Sequence, residues 1–352
     1  MDNVALTTRG ANELTTIMEQ AGQAANEAAA RSAFADYRSR KAANTIRRQE
    51  NTLALFAHFL EETTGTQAGD LAGGPGAWHG VTWGLVEGFA RWLLLGGYAV
   101  GSVNGHLSTV KTYAKLAARS GALSAQDVAM IRTVAGYRKK EGKQVDEKRT
   151  AASIPTRGGR KGRAKKNEPV SLTPAQAQAL KEQPNTSQGR RDRLLLCLLA
   201  DHGLRVGEVA GLAVTDVDLK RGELRFYRPK VDKTQTHKLT ADAWEAARVY
   251  LDNDGLSIGP LLRASKKGGR LADPGMTTRA ITARVGELGA RVGVAGLSAH
   301  DLRHYWATQA ARSGTPIDRL QDAGGWSSPA MPLQYIEAAA IANEGVKLEV
   351  AE

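Results

Sequence analysis

The segment "HDLRHYW" at residues 300–306 brings a histidine, an arginine and a tyrosine together at helical spacing. Successive residues of an α-helix turn by about 100°, so His300 and Arg303 lie roughly 60° apart and can meet one ligand. Tyr305 lies on the other side of the same helix, roughly 170° from the bisector of that pair. The spacing therefore predicts one ligand site at His300 and Arg303, and it argues against Tyr305 as a nucleophile that they assist.

Further candidates for chemistry lie before and after this segment. In "GLRVGEV", Arg205 precedes Glu208 by about one turn of a predicted short helix. Lys233 lies in "KVDKTQ", the predicted tip of a β-hairpin, and Trp326 and Tyr335 lie in "GGWSSPAMPLQY". Elements from several parts of the chain must therefore meet before these side chains can form one site.

The composition limits the class of protein. A chain of 352 residues suggests two domains, and 42% hydrophobic with 24% charged residues is typical of a soluble globular protein. No apolar run is long enough to span a bilayer, and the N-terminus does not resemble a secretory signal. We therefore expect a cytoplasmic protein without a membrane partner. The single cysteine, Cys197, lies in an apolar run, which excludes internal disulfides and a cysteine-rich zinc site.

The net charge of +12 indicates a polyanionic partner, and most of the excess lies in one segment. Residues 138–167 contain twelve Lys or Arg against three Asp or Glu. Without periodic apolar residues such a segment is expected to be a solvated, disordered linker. A basic linker would follow a phosphate backbone and add salt-dependent affinity.

Five parts follow from these patterns. They are an Ala-rich helical extension at 1–35, a helical domain at 36–137, the basic linker at 138–168, a second globular domain at 169–340 and a tail at 341–352. In the helical domain, Ser102 is the predicted cap of the helix that ends before Gly121. In the second domain, Ser171 or Thr173 followed by Pro174 predicts a helix start.

The second domain is predicted to be mostly helical with one hairpin. Its strands are "GELRFYRP" and the return "THKLT", with "KVDKTQ" as the tip between them. The fold class is therefore mainly α with a small antiparallel β-sheet.

The second domain resembles the tyrosine recombinases, the phage-integrase type of DNA breaking and rejoining enzymes. "GLRVGEV" is similar to the first arginine box of that family and "HDLRHYWAT" to its His-x-x-Arg box, and Tyr335 follows thirty-two residues after Arg303. The similarity covers about residues 170–340. In addition, "TIRRQENTLALFAHFL" and "SVNGHLSTVKTYAKL" resemble the family's helical core-binding (SAM-like) domain, which in relatives holds the opposite side of the duplex.

The resemblance implies a role for each matching residue. Tyr335 would be the nucleophile, and Arg205 and Arg303 would hold the scissile phosphate. His300 would assist proton transfer. Lys233 would be the general acid.

Lys230 on the same hairpin is the alternative general acid. Trp326 stands where the family more often has a histidine, and its indole can donate one hydrogen bond to a phosphate oxygen but cannot titrate. Glu208 would orient Arg205 without touching DNA.

Physical chemistry supports these roles. A phosphodiester attacked by a phenol gains negative charge, and two guanidiniums supply forked donors that stay protonated. The unperturbed pKa of tyrosine is about 10, so surrounding positive charge should ease its deprotonation. A lysine can protonate the leaving 5′-oxygen. The phosphotyrosine keeps an ester linkage, so rejoining would need neither a metal nor a cofactor.

Alternative interpretations of these residues stay open at the level of sequence. Tyr305, Tyr250 and Tyr227 compete with Tyr335, although spacing favours Tyr335. Lys238 shares the hairpin with Lys230 and Lys233, and Trp326 could belong to a core. His304 is interpreted as structural.

Basic side chains outside this set are candidates for phosphate contacts, with ordinary solvated charges as the alternative. They are Arg47, Arg48 and Lys111 in the helical domain, and Arg160, Lys161, Arg163, Lys165 and Lys166 in the linker.

The resemblance implies a site-specific recombinase acting on double-stranded DNA at inverted repeats through a 3′-phosphotyrosine. Strands would be exchanged through a four-way junction in a homo-tetramer, with accessory DNA-bending proteins as further partners and the nucleoid as place of action. The tail after Tyr335 would dock on a neighbouring subunit or be a frayed terminus. A type IB topoisomerase and a DNA-binding relative without catalysis are the alternatives. The target site and the biological role do not follow from the sequence.

Overall fold

The computed structural model describes residues 2–152 and 170–339, with side chains described except at residues 2–15, 139, 338 and 339. The chain divides into two compact units, Met1–Lys165 and Lys166–Glu352. No helix in the described ranges is long and apolar enough to cross a membrane. The linker candidates Arg160, Lys161, Arg163, Lys165 and Lys166, and the tail at 341–352, lie outside the described residues.

The first unit is built from helices, as its apolar spacing predicted. They are α1 (Asp2–Ser39), α2 (Ala43–Thr64), α3 (Trp83–Leu95), α4 (Val100–Arg119), α5 (Ala125–Thr133) and α6 (Lys139–Ala151), with a 3₁₀ turn at Pro75–Trp78. Aromatic side chains fill its core, where the rings of Phe56 and Phe89 lie 4.9 Å apart. Trp78 is fully buried there, and its indole N–H donates to the Leu71 carbonyl at 3.0 Å.

Two predictions for this unit were wrong in detail. Helix α4 begins at Val100 with Ala99 as its N-cap, because the Ser102 N–H already donates to the Ala99 carbonyl at 2.8 Å. Helix α6 occupies part of the predicted disordered linker. Its Arg149 guanidinium donates to the carbonyls of Leu94 at 3.0 Å and Tyr98 at 2.9 Å, which ties this basic segment to the end of α3.

The second unit combines helices with two small antiparallel sheets, which confirms the predicted fold class. Its helices are α7 (Pro174–Lys181), α8 (Ser187–Ala200), α9 (Val206–Ala210), α10 (Ala241–Asn253), α11 (Thr278–Arg291), α12 (Ala299–Arg312), α13 (Ile317–Gly324) and α14 (Ala330–Ala339). Its strands are β1 (Val217–Asp218), β2 (Glu223–Arg228), β3 (Lys233–Lys238), β4 (Arg263–Ser265) and β5 (Leu271–Gly275). The Thr173 hydroxyl caps α7 by accepting from the Gln176 N–H at 3.2 Å, as predicted.

The turn of the hairpin is shorter than predicted, because its return strand begins at Lys233. Strand β2 lies between β1 and β3, and its pairing with β3 runs from Glu223 opposite Lys238 to Arg228 opposite Lys233. Asp232 has a positive φ of 47°, which closes the turn directly before β3. Lys233 is therefore the first residue of a strand and does not lie at a loose tip. The β4–β5 sheet was not predicted, since its short strands carry no alternating pattern.

Helix α8 is the centre of the second unit. Its residues from Leu194 to Ala200 are buried without interruption, and α8 packs against α7, α10 and α12. Cys197 is buried among them, as expected, and burial raises the pKa of its thiol to about 12. A helix that is buried on all sides gives the neighbouring elements a rigid support.

The chain leaves α8 through a tight turn at Gly203, which has a positive φ of 60°. A Cβ atom at this position would lie 2.1 Å from Cε3 of Trp306 on α12. Only glycine allows both this backbone conformation and this approach of the indole.

We predict that Gly203→Ala lowers the free energy of unfolding by about 2 kcal/mol or more, because it combines left-handed strain with a steric clash. A Cβ atom at Gly207 in α9 would meet nothing within 4 Å beyond the backbone of its own helix, so Gly207→Ala is a matched control. This control should stabilise the protein by up to about 1 kcal/mol. Urea denaturation of both variants measures the difference, and equal stabilities would contradict this account of the turn.

Two histidines are enclosed where α8 ends beside the hairpin. The rings of His202 and His237 lie 5.8 Å apart, and the His237 ring packs on Phe226 at 4.9 Å. Burial lowers the pKa of each imidazole to about 4, with the charge of Arg228 adding to the effect on His237. Both rings are therefore neutral in the folded protein at neutral pH.

The stability of the second unit should consequently fall as the pH decreases from about 6.5 towards 4. The unfolded chain binds protons on these histidines that the folded chain does not, so folding becomes less favourable by up to about 3 kcal/mol per ring. Denaturation at pH 7 and pH 5 measures this loss. His202→Phe with His237→Phe should reduce the slope, and an unchanged slope in the double variant would contradict the assignment.

Candidate active site

Arg205 is positioned by the start of α9, where it is the N-cap residue. Its backbone N–H donates to Glu208 Oε2 at 2.8 Å, and its guanidinium donates to Glu208 Oε1 at 2.8 Å. A further N–H of the guanidinium donates to the Gly325 carbonyl at 2.9 Å. Glu208 is thus bound to both the main chain and the side chain of Arg205, as an orienting role requires.

Arg303 projects from the first turns of α12 and is only 2% exposed. Its guanidinium donates to the carbonyls of Gly203 and Gly324. It also lies over the ring of Trp326, 4.5 Å from the centroid. Burial, followed by the charges of Arg205 and Arg228, lowers the pKa of Arg303 to about 10, so it remains a cation at neutral pH.

The last residues of α13 and its left-handed C-cap form what we call the carbonyl turn, Ala323 to Gly325. Gly325 has a positive φ of 59°, and a Cβ on Gly324 would lie 1.9 Å from the Trp326 ring. Its carbonyls accept from Arg205 and Arg303, so the turn joins the two candidate phosphate ligands. The pair of glycines in "GGW" is the sequence signal for this turn.

Tyr335 lies on α14 and is 6% exposed. Its ring lies 5.7 Å from Trp326 and 5.3 Å from His304, measured between centroids. Burial raises the pKa of the Tyr335 phenol, and the charge of Arg303 opposes that rise. The charge of Arg303 thus acts in the expected direction, but desolvation outweighs it and the net pKa is raised.

His300 lies at the solvent side of the same cluster. Its Nε2 atom is 3.1 Å from Nε2 of His304, and the two rings meet edge to face. Partial burial and the charges of Arg303 and Lys230 lower the pKa of the His300 imidazole. His304, which was interpreted as structural, therefore lies between His300 and Tyr335.

The two hairpin lysines occupy different surroundings. Lys233 forms an ion pair with Asp322 at 2.7 Å, which engages its ammonium. Lys230 is exposed in the turn, and its charge contributes to the lowered pKa of His300. Of the two, Lys230 is the lysine with an electrostatic effect on the candidate site.

Arg228 was missed at the level of sequence. It is the last residue of β2 and is fully buried, with its guanidinium donating to the carbonyls of Gly324 at 2.8 Å and Ala323 at 2.7 Å. The alternation in "ELRFYR", where Leu224 and Phe226 point inward, was the available signal that Arg228 points the same way.

The competing tyrosines have different contacts, although Tyr305 lines one cavity together with His304 and Tyr335. Tyr250 is fully buried in the core of the second unit, and Tyr227 is 53% exposed with its hydroxyl donating to Asp232 at 2.7 Å. Tyr305 packs on the same core, and the charges near its hydroxyl are those of Lys181 and Asp201. None of the three shares the contacts of Tyr335.

The candidates in the first unit also differ from one another. Arg47 and Arg48 are exposed on α2. Lys111 is partly buried, and its ammonium donates to the carbonyls of Arg132, at 3.2 Å, and Val134 at the end of α5. Lys111 is therefore engaged by main-chain carbonyls of its own unit.

Within residues 2–152 and 170–339, no three His, Cys, Asp or Glu side chains are grouped as metal ligands would be. The converging groups are instead guanidiniums, imidazoles, an indole and a phenol. Such a set can bind an anionic ester and move protons around it.

Comparisons with known proteins agree with this geometry. The model of the phage integrase family matches residues 171–340. Tyrosine recombinase XerC of Pelobacter propionicus is 34% identical over 171 residues, 47% of this chain and 55% of that protein. Tyrosine recombinase XerD of Neisseria meningitidis is 30% identical over 203 residues, 55% of this chain and 67% of that protein. The chain spans about half the length of several curated relatives that it matches.

Solved structures show the same fold. A lambda integrase dimer bound to a COC′ core site matches with a TM-score of 0.59 at 16% identity, covering 91% of this chain and 96% of that one. The Tn1549 transposon integrase in complex with transposon right end DNA matches with a TM-score of 0.58 at 15% identity, covering 86% and 93%. The fold of the two units thus has counterparts in known integrases. Together with the family model and the similarity to XerD, this shows that the chain belongs to the phage integrase family of tyrosine recombinases.

Proposed function

We propose that this chain is a site-specific recombinase that cleaves and rejoins double-stranded DNA through a 3′-phosphotyrosine intermediate. The observation that carries the proposal is the convergence of Arg205, Arg303 and Trp326 at the carbonyl turn, with Tyr335 packed on Trp326 and His304 and with His300 in contact with His304. Relatives named tyrosine recombinases and neighbours solved with DNA support the substrate class.

In the proposed reaction, the Tyr335 hydroxyl attacks the scissile phosphorus. A bond forms between the phenolic oxygen and phosphorus, and the bond from phosphorus to the 5′-oxygen breaks. Arg205 and Arg303 stabilise the charge on the non-bridging oxygens, and the Trp326 indole can donate one further hydrogen bond to them. Rejoining is the reverse attack by a 5′-hydroxyl on the phosphotyrosine ester.

Two protons must move in this reaction. The phenolic proton leaves Tyr335 as it attacks, and His300, adjoined by His304, is the group we assign to receive it. The leaving 5′-oxygen takes a proton from a general acid. We assign this role to Lys230, whose charge acts on His300, in preference to Lys233, which is paired with Asp322. Because burial raises the pKa of the Tyr335 phenol, removal of its proton has to be coupled to attack.

Strand exchange through a four-way junction in a homo-tetramer completes the proposal. The net charge of +12 and the exposed Arg47 and Arg48 suit a polyanionic duplex, and both arginines remain candidates for phosphate contacts. Accessory DNA-bending proteins stay a prediction.

Tyr335→Phe should abolish the covalent protein–DNA adduct on nicked suicide substrates while leaving DNA affinity within about threefold, since it removes one hydroxyl and no charge. The substrates carry inverted repeats from the genomic neighbourhood of the coding sequence. Tyr305→Phe is the matched control and should form the adduct at the wild-type rate. Adduct persisting in Tyr335→Phe would refute the assignment, and full relaxation of supercoiled DNA by a monomer without paired sites would indicate a topoisomerase instead.

The roles of the two hairpin lysines can be distinguished with a substrate whose leaving group needs no proton. Lys230→Met should slow cleavage by about 10²-fold, and a 5′-bridging phosphorothiolate should restore the rate because thiolate leaves unprotonated. Lys233→Met should stay within about threefold of wild type on both substrates. The opposite pattern, with rescue confined to Lys233→Met, would assign the general acid to Lys233.

A further inference from the structure

Arg228 is a charged side chain with no exposed surface, located directly beside the candidate active site. Its residue is 0% exposed, and its aliphatic stem passes so close to Gly325 that a Cβ there would lie 2.6 Å from Arg228 Cδ. The guanidinium also lies over the Phe226 ring, 4.8 Å from its centroid. Burying a guanidinium is costly, so its contacts must compensate for the lost hydration.

Those contacts are shared with the two candidate phosphate ligands. Arg228 and Arg303 both donate to the Gly324 carbonyl. Arg228 also lies 3.4 Å from Glu208 Oε1, the same oxygen that accepts from Arg205 at 2.8 Å. Arg228 therefore contacts both Glu208, which orients Arg205, and the carbonyl turn, which orients Arg205 and Arg303.

We propose that Arg228 is a positioning residue of the cleavage reaction, which holds the carbonyl turn and Glu208 so that Arg205, Arg303 and Trp326 face the scissile phosphate. This inference rests on the proposed function. Arg228 has no exposed surface with which to touch DNA, so it acts through the other two arginines.

Removing Arg228 has two consequences at this site. The Gly324 carbonyl still accepts from Arg303, but it loses the donor on Arg228 that links the carbonyl turn to β2. The Glu208 carboxylate, no longer shared, pairs more completely with Arg205 and reduces the charge that Arg205 can offer a phosphate. Both changes affect the transition state, in which negative charge grows, more than they affect binding of the duplex.

The test compares Arg228→Met, which replaces the aliphatic stem by a flexible apolar chain and removes the guanidinium, with wild type on a nicked suicide substrate. Cleavage in single-turnover reactions should be slower by about 10²-fold, because displacement of catalytic groups by about 1 Å has that effect. The Kd for the same DNA should change by less than about threefold. Arg225→Met is the matched control, since Arg225 lies on β2 but is exposed, and its cleavage rate at saturating protein should equal that of wild type.

A neutral substrate distinguishes a variant that has lost the positioning of its arginines from one that has lost its structure in general. A methylphosphonate at the scissile position carries no charged non-bridging oxygen, so the arginines have less charge to stabilise there. The ratio of wild-type to Arg228→Met rates should fall to less than about tenfold on this substrate, whereas a variant that is merely misfolded loses both substrates equally.

If Arg228→Met does not fold, Arg228→Lys provides a second variant for the same measurements. Lysine retains the charge but not the forked donors, so we expect an intermediate cleavage rate with a wild-type Kd. Wild-type rates in either folded variant, or equal defects on the phosphodiester and the methylphosphonate, would overturn the proposal. Failure of wild type itself to form an adduct would instead refute the proposed function.

Discussion

The site depends on main-chain carbonyls at the end of one short helix. Three guanidiniums, those of Arg205, Arg228 and Arg303, donate to the carbonyl turn, while Glu208 is the carboxylate in contact with two of them. Carbonyls at a helix C-terminus carry partial negative charge, so they can order cations without neutralising them. The cluster is therefore held rigid and keeps the surplus of positive charge that an anionic ester requires.

Burial in this arrangement explains why the pKa values of these side chains differ from those of isolated side chains. Burial lowers the pKa values of Arg228 and Arg303 to about 10, but both remain protonated at neutral pH. The same burial raises the pKa of Tyr335 and lowers that of His300. At neutral pH these shifts favour the neutral forms of the Tyr335 phenol and the His300 imidazole, while Arg228 and Arg303 stay charged.

Much of this site follows from sequence, because the motifs combine short spacing with helix geometry. His300 and Arg303 on one side of α12, and Tyr305 on another, need only the rotation per residue. Contacts between distant segments cannot be obtained in this way. The burial of Arg228 depends on how β2 meets α13, and the pairing of Lys233 with Asp322 depends on where the hairpin turns. Helix α6 in the first unit was missed for a similar reason, because Arg149 donates to main-chain carbonyls at the end of α3. Lys111 donates to carbonyls at the end of α5, a contact that charge alone does not reveal, and its role as a phosphate contact stays a prediction.

The contact between His300 and His304 limits where the two rings can hold protons. Two Nε2 atoms at 3.1 Å can hold one proton between them, so one ring donates and the other accepts. Whichever ring accepts must carry its own proton on Nδ1, and a second proton on either Nε2 would break the contact. The two imidazoles therefore behave as a single acid–base unit. A proton added at Nδ1 of the donating ring preserves the contact, whereas a proton added at Nε2 of the accepting ring separates the rings.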